Sequence, residues 1–259
     1  MIKKNWVDLK IFLDHEFDHF NTEAFIELDP ISIPHQFTQK HDIEIAGFLT
    51  ATIAWGQRLT LVRNANQLIK FMDGQPHDFI LNHSIHDLKP FKKFVHRTFN
   101  GENCIFFIQR LHWIYNQYES LESAFKPELN SVKDSIIHFR QVFLGQEFNG
   151  NHTRHISNPA DNSAAKRLNM FLRWMIRNDE RKIDFGIWKQ FTASQLYIPL
   201  DVHSGSVARE LGLLNRKQND WKAVEELTEN LRSFDALDPV KYDYALFGLG
   251  VSGKLKTMK

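Results

Sequence analysis

The sequence predicts an all-α protein arranged as a two-lobed helical bundle. Apolar residues recur at three- and four-residue spacing over most of the 259 positions, the period of helices with one buried stripe. No run of alternating β-branched residues bounded by turns is long enough for a sheet. Gly56, Gly74, Pro199 and Pro239 stand where periodic segments stop or start.

Residues 2–20 carry Trp6, Leu9, Phe12, Leu13 and Phe17 at helical spacing and predict the first helix. A loop with Pro30 and Pro34 follows. Residues 42–55 are apolar nearly all round, the pattern of a central helix packed on several sides, and Gly56 ends it. The next helix spans 59–72 and stops at Asp73-Gly74, where glycine supplies a left-handed cap. Pro76 opens a short one. Further helices are expected at 102–118, 132–144, 163–177, 202–213, 221–233 and 240–248, with a frayed end over 252–259. The polar, irregular stretch 145–160 reads as a hinge, giving a central lobe of 41–145 and a second lobe of 1–40 plus 150–259 within one helical domain.

Composition narrows the class. Apolar residues make up 42% and charged residues 24%, ordinary globular values, and the 22 Phe and 6 Trp imply an interior filled largely by aromatics. The single Cys104 excludes an internal disulfide framework, a cysteine-ligated cluster and a cysteine zinc site. Residues 1–20 interleave charge with apolar groups, so neither a signal peptide nor a membrane span is expected there, and a cytoplasmic protein with no membrane partner is. Lys and Arg number 32 against 31 Asp and Glu, so any nucleic-acid contact has to rest on a local patch.

Two residues invite a chemical reading. Lys166 opens an amphipathic helix, where the positive end of the helix dipole disfavours an ammonium and so favours an amine nucleophile. The same lysine is equally readable as an ordinary solvated one. Asp201, in the run IPLDVH, sits where a helix begins, and so is an N-cap by position. A partly buried carboxylate there can also act as a base or stabilise positive charge on a sugar, and both roles can coexist.

A lysine opening a helix, followed by an apolar-Asp-x-His run into another helix, resembles the signature of the helix-hairpin-helix (HhH-GPD) DNA glycosylases. The segment EIAGFLTATIAWGQRLTLVRNANQLI is similar to that superfamily's first core helix, glutamine-bearing turn and second helix. The phrases KRLNMFLRWM, PLDVH, VARELGLL and DPVKYDYALFGLG resemble a bacterial family of unknown function related to enzymes that excise oxidised guanine. The resemblance implies a glycosylase-like fold and base-excision repair of an oxidised purine in damaged duplex or single-stranded DNA, without cofactor or metal. It makes Lys166 the Schiff-base lysine and Asp201 the catalytic aspartate, with Gln57 entering the base stack and Arg58, Arg63 and Arg167 on the backbone. Asn162 and Ala164 fall where the superfamily's hairpin has glycines whose amides hold a phosphate. The linker from Lys166 to Asp201 is longer than in its better-known members. A flipped base would stack on Trp55, Trp174 or Trp188, although tryptophans in apolar helices are more commonly core.

The window 166–182 holds Lys166, Arg167, Arg173, Arg177, Arg181 and Lys182 against Asp179 and Glu180, a stretch that either neutralises phosphates or is a solvated face. Asp235, Asp238 and Asp243 are expected to cap turns and helix starts. Two other functions stay open: a non-catalytic helical DNA- or protein-binding module, and a metal-dependent phosphohydrolase built on His41-Asp42 with His35, His203 and Asp201 as further ligands.

Overall fold

A computed structural model describes residues 5–145 and 152–254. In chain order it contains α1 (Trp6–Phe20), α2 (Glu23–Leu28), α3 (Lys40–Thr52), α4 (Arg58–Phe71), α5 (Pro76–Asn82), the short strands β1 (Val95–His96) and β2 (Phe99–Asn100), α6 (Gly101–Gln117), α7 (Leu121–Ala124) and α8 (Val132–Leu144). Then come α9 (Lys166–Ile176), α10 (Val202–Glu210), α11 (Trp221–Arg232) and α12 (Tyr242–Ser252). The structure is mostly helical, as expected; β1 and β2 pair as a two-residue antiparallel ribbon. Residues 2–4 of the first expected helix, 146–151 of the expected hinge and 255–259 of the expected frayed end lie outside the described residues.

The chain divides into two compact units, residues 1–25 with 158–259 and residues 26–157. The division falls at 25/26 rather than at 40/41, and at 157/158, inside the expected hinge of 145–160 but later than the expected lobe edges at 145 and 150. Residues 26–40 join the second unit because the 3-10 turns Pro30–Ser32 and Pro34–Gln36 pack on α4 and α3. Residues 152–157 join it because His152 stacks on Phe106, with ring centroids 4.3 Å apart, and His155 meets Phe99 and Trp55.

The second unit is built round α3, whose residues 43–52 are all buried, as a helix apolar on every side requires. Phenylalanines fill the space beside it. Phe48 meets Phe139 and Phe143 at 5.5 and 5.2 Å, and Phe125 stacks on Phe139 at 3.9 Å. Glu44 is enclosed too, and its carboxylate accepts from the Tyr115 hydroxyl (2.8 Å) and the Leu121 amide (3.3 Å), which replaces lost water.

The first unit sets α1 and α10 against α12. Its largest fully buried side chains are Trp174, Trp188, Trp221, Arg177, Tyr242 and Tyr244. α12 carries little polarity because it is covered on most sides, and two glycines permit the approach. A Cβ on Gly248 would lie 2.3 Å from the Phe20 ring, and one on Gly250 would lie 2.9 Å from His203 Cβ. α10 stops at Glu210 rather than near 213 because Gly212 turns left-handed (φ +77°) and the Leu213 amide donates back to Ala208 O at 2.8 Å.

Gly248→Ala should therefore destabilise the protein by about 1–3 kcal/mol, because a rigid ring cannot yield as a flexible side chain would. Urea unfolding checks it. The same substitution with Phe20→Ala should lose much less than the sum of the two single changes.

Candidate active site

Everything in the site belongs to the first unit and begins with a hairpin. Asn158 accepts the Ala160 amide on its own side chain, the 3-10 turn Pro159–Asp161 follows, and Asn162 takes the left-handed conformation (φ +60°) that asparagine tolerates. A second left-handed residue is Ala165 (φ +46°), one place later than Ala164. Alanine resists that geometry, so the surroundings hold it: Ala165 is buried, its amide donates to Ser163 Oγ, and the Asn169 side-chain amide donates to Ala164 O at 3.1 Å. The hairpin is tied to α11. Ser163 bridges Asp220, Trp221 N donates to Asn162 O at 3.1 Å, and Asn162 Nδ2 donates to Asp220 Oδ2 at 3.0 Å. Residues 163–165 are thus hairpin, and α9 starts at Lys166 rather than at 163. The expectation that residue 162 offers its amide to a phosphate is corrected: the Asn162 N–H donates to Pro159 O at 3.0 Å.

Lys166 is the first helical residue of α9, and Asp201 caps α10. Asp201 Oδ1 accepts from His203 N (2.8 Å), Ser204 N (2.9 Å) and Ser204 Oγ (3.2 Å). Its other oxygen, Oδ2, lies 3.9 Å from Lys166 Nζ. Capping and the ion pair use different oxygens, so one carboxylate does both, and both side chains remain 20–30% open to solvent. Val202, beside Asp201, is exposed.

The long linker is what brings the two together. α9 runs about 16 Å at 1.5 Å per residue, and the chain must return that distance from its end to reach Lys166. It does so on backbone and charge. The Phe185 and Trp188 amides donate to Trp174 O and Met175 O at 2.8 and 2.9 Å. Asp184, wholly enclosed, accepts from Arg173 Nε at 3.3 Å and from Arg177 Nη1 at 3.1 Å. Arg173 also pairs with Asp243, and Arg177 with Asp179 (2.8 Å) and Asp238 (2.9 Å). The guanidinium of Arg173 lies 4.3 Å from the Tyr244 ring centre. Farther along, the Ile198 amide donates to Thr228 Oγ1 at 3.1 Å, and Pro199-Leu200 delivers Asp201.

Two expectations fail here. The basic stretch of 166–182 does not act as one face: Arg173 and Arg177 are buried counter-ions, and Arg181 pairs with Asp18 at 2.5 Å. Asp238 makes no capping bond, and it and Asp243 are instead the partners of those arginines, while Asp235 does cap its turn, accepting from the Leu237 and Asp238 amides. Pairing across seventy residues, as between Arg173 and Asp243, leaves no local pattern in the sequence.

The buried charges beside the site shift one another. Burial pushes the Asp243 carboxyl up to about 7; Asp201 and Asp184 push the same way, and Arg173 and Lys166 oppose them. Burial likewise raises Asp238 against the pull of Arg177. Burial also works against the Arg177 cation, but Asp184 and Asp238 outweigh it and hold its pKa above the ordinary value.

The remaining expected site residues are placed as follows. Arg167 is half-buried, and burial lowers its guanidinium pKa to about 10, still charged at neutral pH. Trp174 is fully enclosed with its indole N–H unpartnered, and Trp188 is enclosed as well, so neither offers a ring face to a base. In the second unit, Gln57 is an exposed N-cap of α4 whose side chain makes no capping bond, Arg58 opens that helix, and Arg63 lies exposed one turn on. Trp55 is half-buried, stacked on His155 (5.9 Å) with its edge toward His96 (5.3 Å). Asp42 accepts the His77 amide at 2.8 Å, and His41 stacks on His77 at 4.5 Å. Among the described residues no group of three or more His, Cys, Asp and Glu is arranged to hold a metal ion, and no helix is long and apolar enough to cross a membrane.

Fold and site define a mostly helical protein that sets a lysine at one helix N-terminus against a capping carboxylate at another. The chain belongs to the family described as protein of unknown function DUF2400, whose model matches residues 29–252. No curated protein and no solved structure matches it.

The raised Asp243 carboxyl carries a pH signature. It keeps its proton in the folded state up to about 7 but loses it near 4 when unfolded, so the folded state binds the extra proton between those values. Its contribution to stability should fall as pH rises from about 4 to about 7 and stay low above that. Urea midpoints for the wild type and Asp243→Asn, measured across that range, should differ most in slope, the variant being flatter.

Proposed function

We propose that this protein is a DNA base-excision glycosylase with lyase activity, acting on a damaged base of the oxidised-purine class and sharing the helix-hairpin-helix glycosylase fold. The observation that supports the reading is the 3.9 Å approach of Lys166 Nζ to the uncapped oxygen of Asp201. In this reading Asp201 Oδ2 takes a proton from the Lys166 ammonium, or stabilises positive charge on the sugar. The freed amine attacks the anomeric carbon of an extruded nucleotide, and the glycosidic bond breaks with its electron pair leaving on the base, which gains a proton. The nitrogen, now bonded to the anomeric carbon, loses a proton; its lone pair then forms the carbon–nitrogen double bond as the ring carbon–oxygen bond breaks, its electron pair leaving on the ring oxygen, which takes up a proton, and the protonated imine is the covalent intermediate. Loss of a proton from the adjacent sugar carbon then expels the 3′ phosphate. Gln57, Arg58, Arg63, Ala164 and Arg167 are the proposed DNA contacts, with Trp55 on the base, and a cytoplasmic reaction is part of the proposal.

Borohydride reduces such an imine to a stable amine. Incubation with oligonucleotides bearing 8-oxoguanine, uracil or an abasic site should give a covalent adduct that Lys166→Ala abolishes and Asp201→Asn lowers by at least about tenfold, the usual scale for loss of a proton-transfer group. Absence of adduct and of base release on all of them would move the reading to a non-catalytic DNA- or protein-binding module.

A further inference from the structure

A cleft of about 550 Å³ opens in the second unit between α4 and the β1–β2 ribbon. It is lined by Arg63, Asn64 and Gln67 of the helix and by Lys93, His96 and Arg97 of the ribbon segment, with Thr60 and Val95 at its margins. Three of these are cations, and no carboxylate lines the cleft. In a chain whose net charge is only +1, that is a strong local excess.

None of the three cations has an acidic partner among the described residues, whereas Arg173, Arg177, Arg181, Arg216 and Arg232 are all in salt bridges. Their placement is built rather than incidental. Arg97 is held left-handed (φ +54°), a conformation most residues avoid, and its side chain lies on Gly56, where an added Cβ would come within 3.0 Å of Nη1. His96 beside it is enclosed and fixed. Burial lowers its imidazole pKa, with Arg97 adding to that; Nε2–H donates to Trp55 O at 3.0 Å, and Nδ1 accepts from Asn64 Nδ2 at 2.9 Å. The His96–Asn64 pair therefore pins the ribbon to α4 without adding charge of its own.

Apolar side chains stand at the same place. Val95 lines the cleft and is largely exposed, and Leu59, on the same helix face one turn before Arg63, is 79% exposed. A small free anion needs only the cations. Cations with exposed apolar groups beside them suit a polymer that presents phosphates together with sugars and bases.

We infer that the cleft between α4 and the ribbon grips the phosphodiester backbone of a nucleic-acid strand through Arg63, Lys93 and Arg97, with Leu59 and Val95 against its sugars or bases. The inference rests on the DNA reading above for the partner's identity but not on any chemistry at Lys166. It adds Lys93, Arg97, Val95 and Leu59 to the contacts proposed there.

The test is fluorescence anisotropy of the full chain on a labelled DNA duplex over a series of salt concentrations. Replacing Arg63, Lys93 and Arg97 together by Gln should weaken binding by at least about tenfold and reduce the slope of log affinity against log salt by about 2–3, roughly 0.9 per lost phosphate contact. A control triple of exposed lysines, Lys126, Lys182 and Lys217 to Gln, should change the slope by less than about 1. Leu59→Ser with Val95→Ser should weaken binding while leaving the slope unchanged. Inorganic phosphate, compared with chloride at matched ionic strength, should not displace the duplex. Unchanged affinity and slope in the cleft triple, equal losses in the control triple, or displacement by inorganic phosphate would each overturn the inference. Trapping reads Lys166 and anisotropy reads the cleft, both on the wild type, so failure of trapping and failure of the cleft are read separately.

Discussion

Asp184 is the constraint on which the first unit depends. Its side chain is buried, which is tolerable only because two guanidinium groups donate to it. Those arginines sit in the last turn of α9 and at its C-cap, and Asp184 sits on the segment of chain leaving it, so satisfying the charges folds the linker back along the helix. Once folded back, the chain reaches Thr228 and then Asp201, and the capping carboxylate arrives beside Lys166. The pair is therefore a product of buried electrostatics some distance from it. Removing one partner of such a cluster costs about 3–5 kcal/mol, since the others stay buried and uncompensated.

The same cluster sets the protonation of the layer beneath the site. With Asp184, Asp238 and Asp243 crowded round two arginines, the carboxylates outnumber the cations, and burial lifts Asp243 toward neutrality. A proton held there below about pH 7 lessens the excess of negative charge. Hydrophobic packing does the rest by a division of labour: phenylalanines fill the second unit round α3, while tryptophans and tyrosines are the large buried side chains of the first, where the Tyr244 ring lies against Arg173.

Most of the helices were legible because amphipathic periodicity is local. Residues 132–144 match α8 at both ends, and the apolar-all-round segment proved to be the buried α3. Ends slipped where a cap rather than a stripe decides, as at Ala165 and Gly212. α2 and α7 are too short to show a period, and the ribbon is too short to show alternation. Lys166 and Asp201 were legible from their positions at helix starts, but their separation was not, since it depends on Asp184 meeting Arg173 and Arg177. Arg177 read as surface charge because its partner Asp238 is sixty-one residues away. Trp174 and Trp188, offered as base platforms, are held inside by the same packing that buries the cluster.

Residue-resolved amide hydrogen exchange on Asp184→Asn, a change of charge with almost no change of shape, tests this account most directly. The account predicts that protection falls at Phe185, Trp188 and Ile198, whose amides bond the returning linker, and at Ser204, whose amide Asp201 caps, while α3 and α6 exchange as in the wild type. Unchanged protection at those four amides would contradict it, because the return of Asp201 to Lys166 would then not depend on the buried charge.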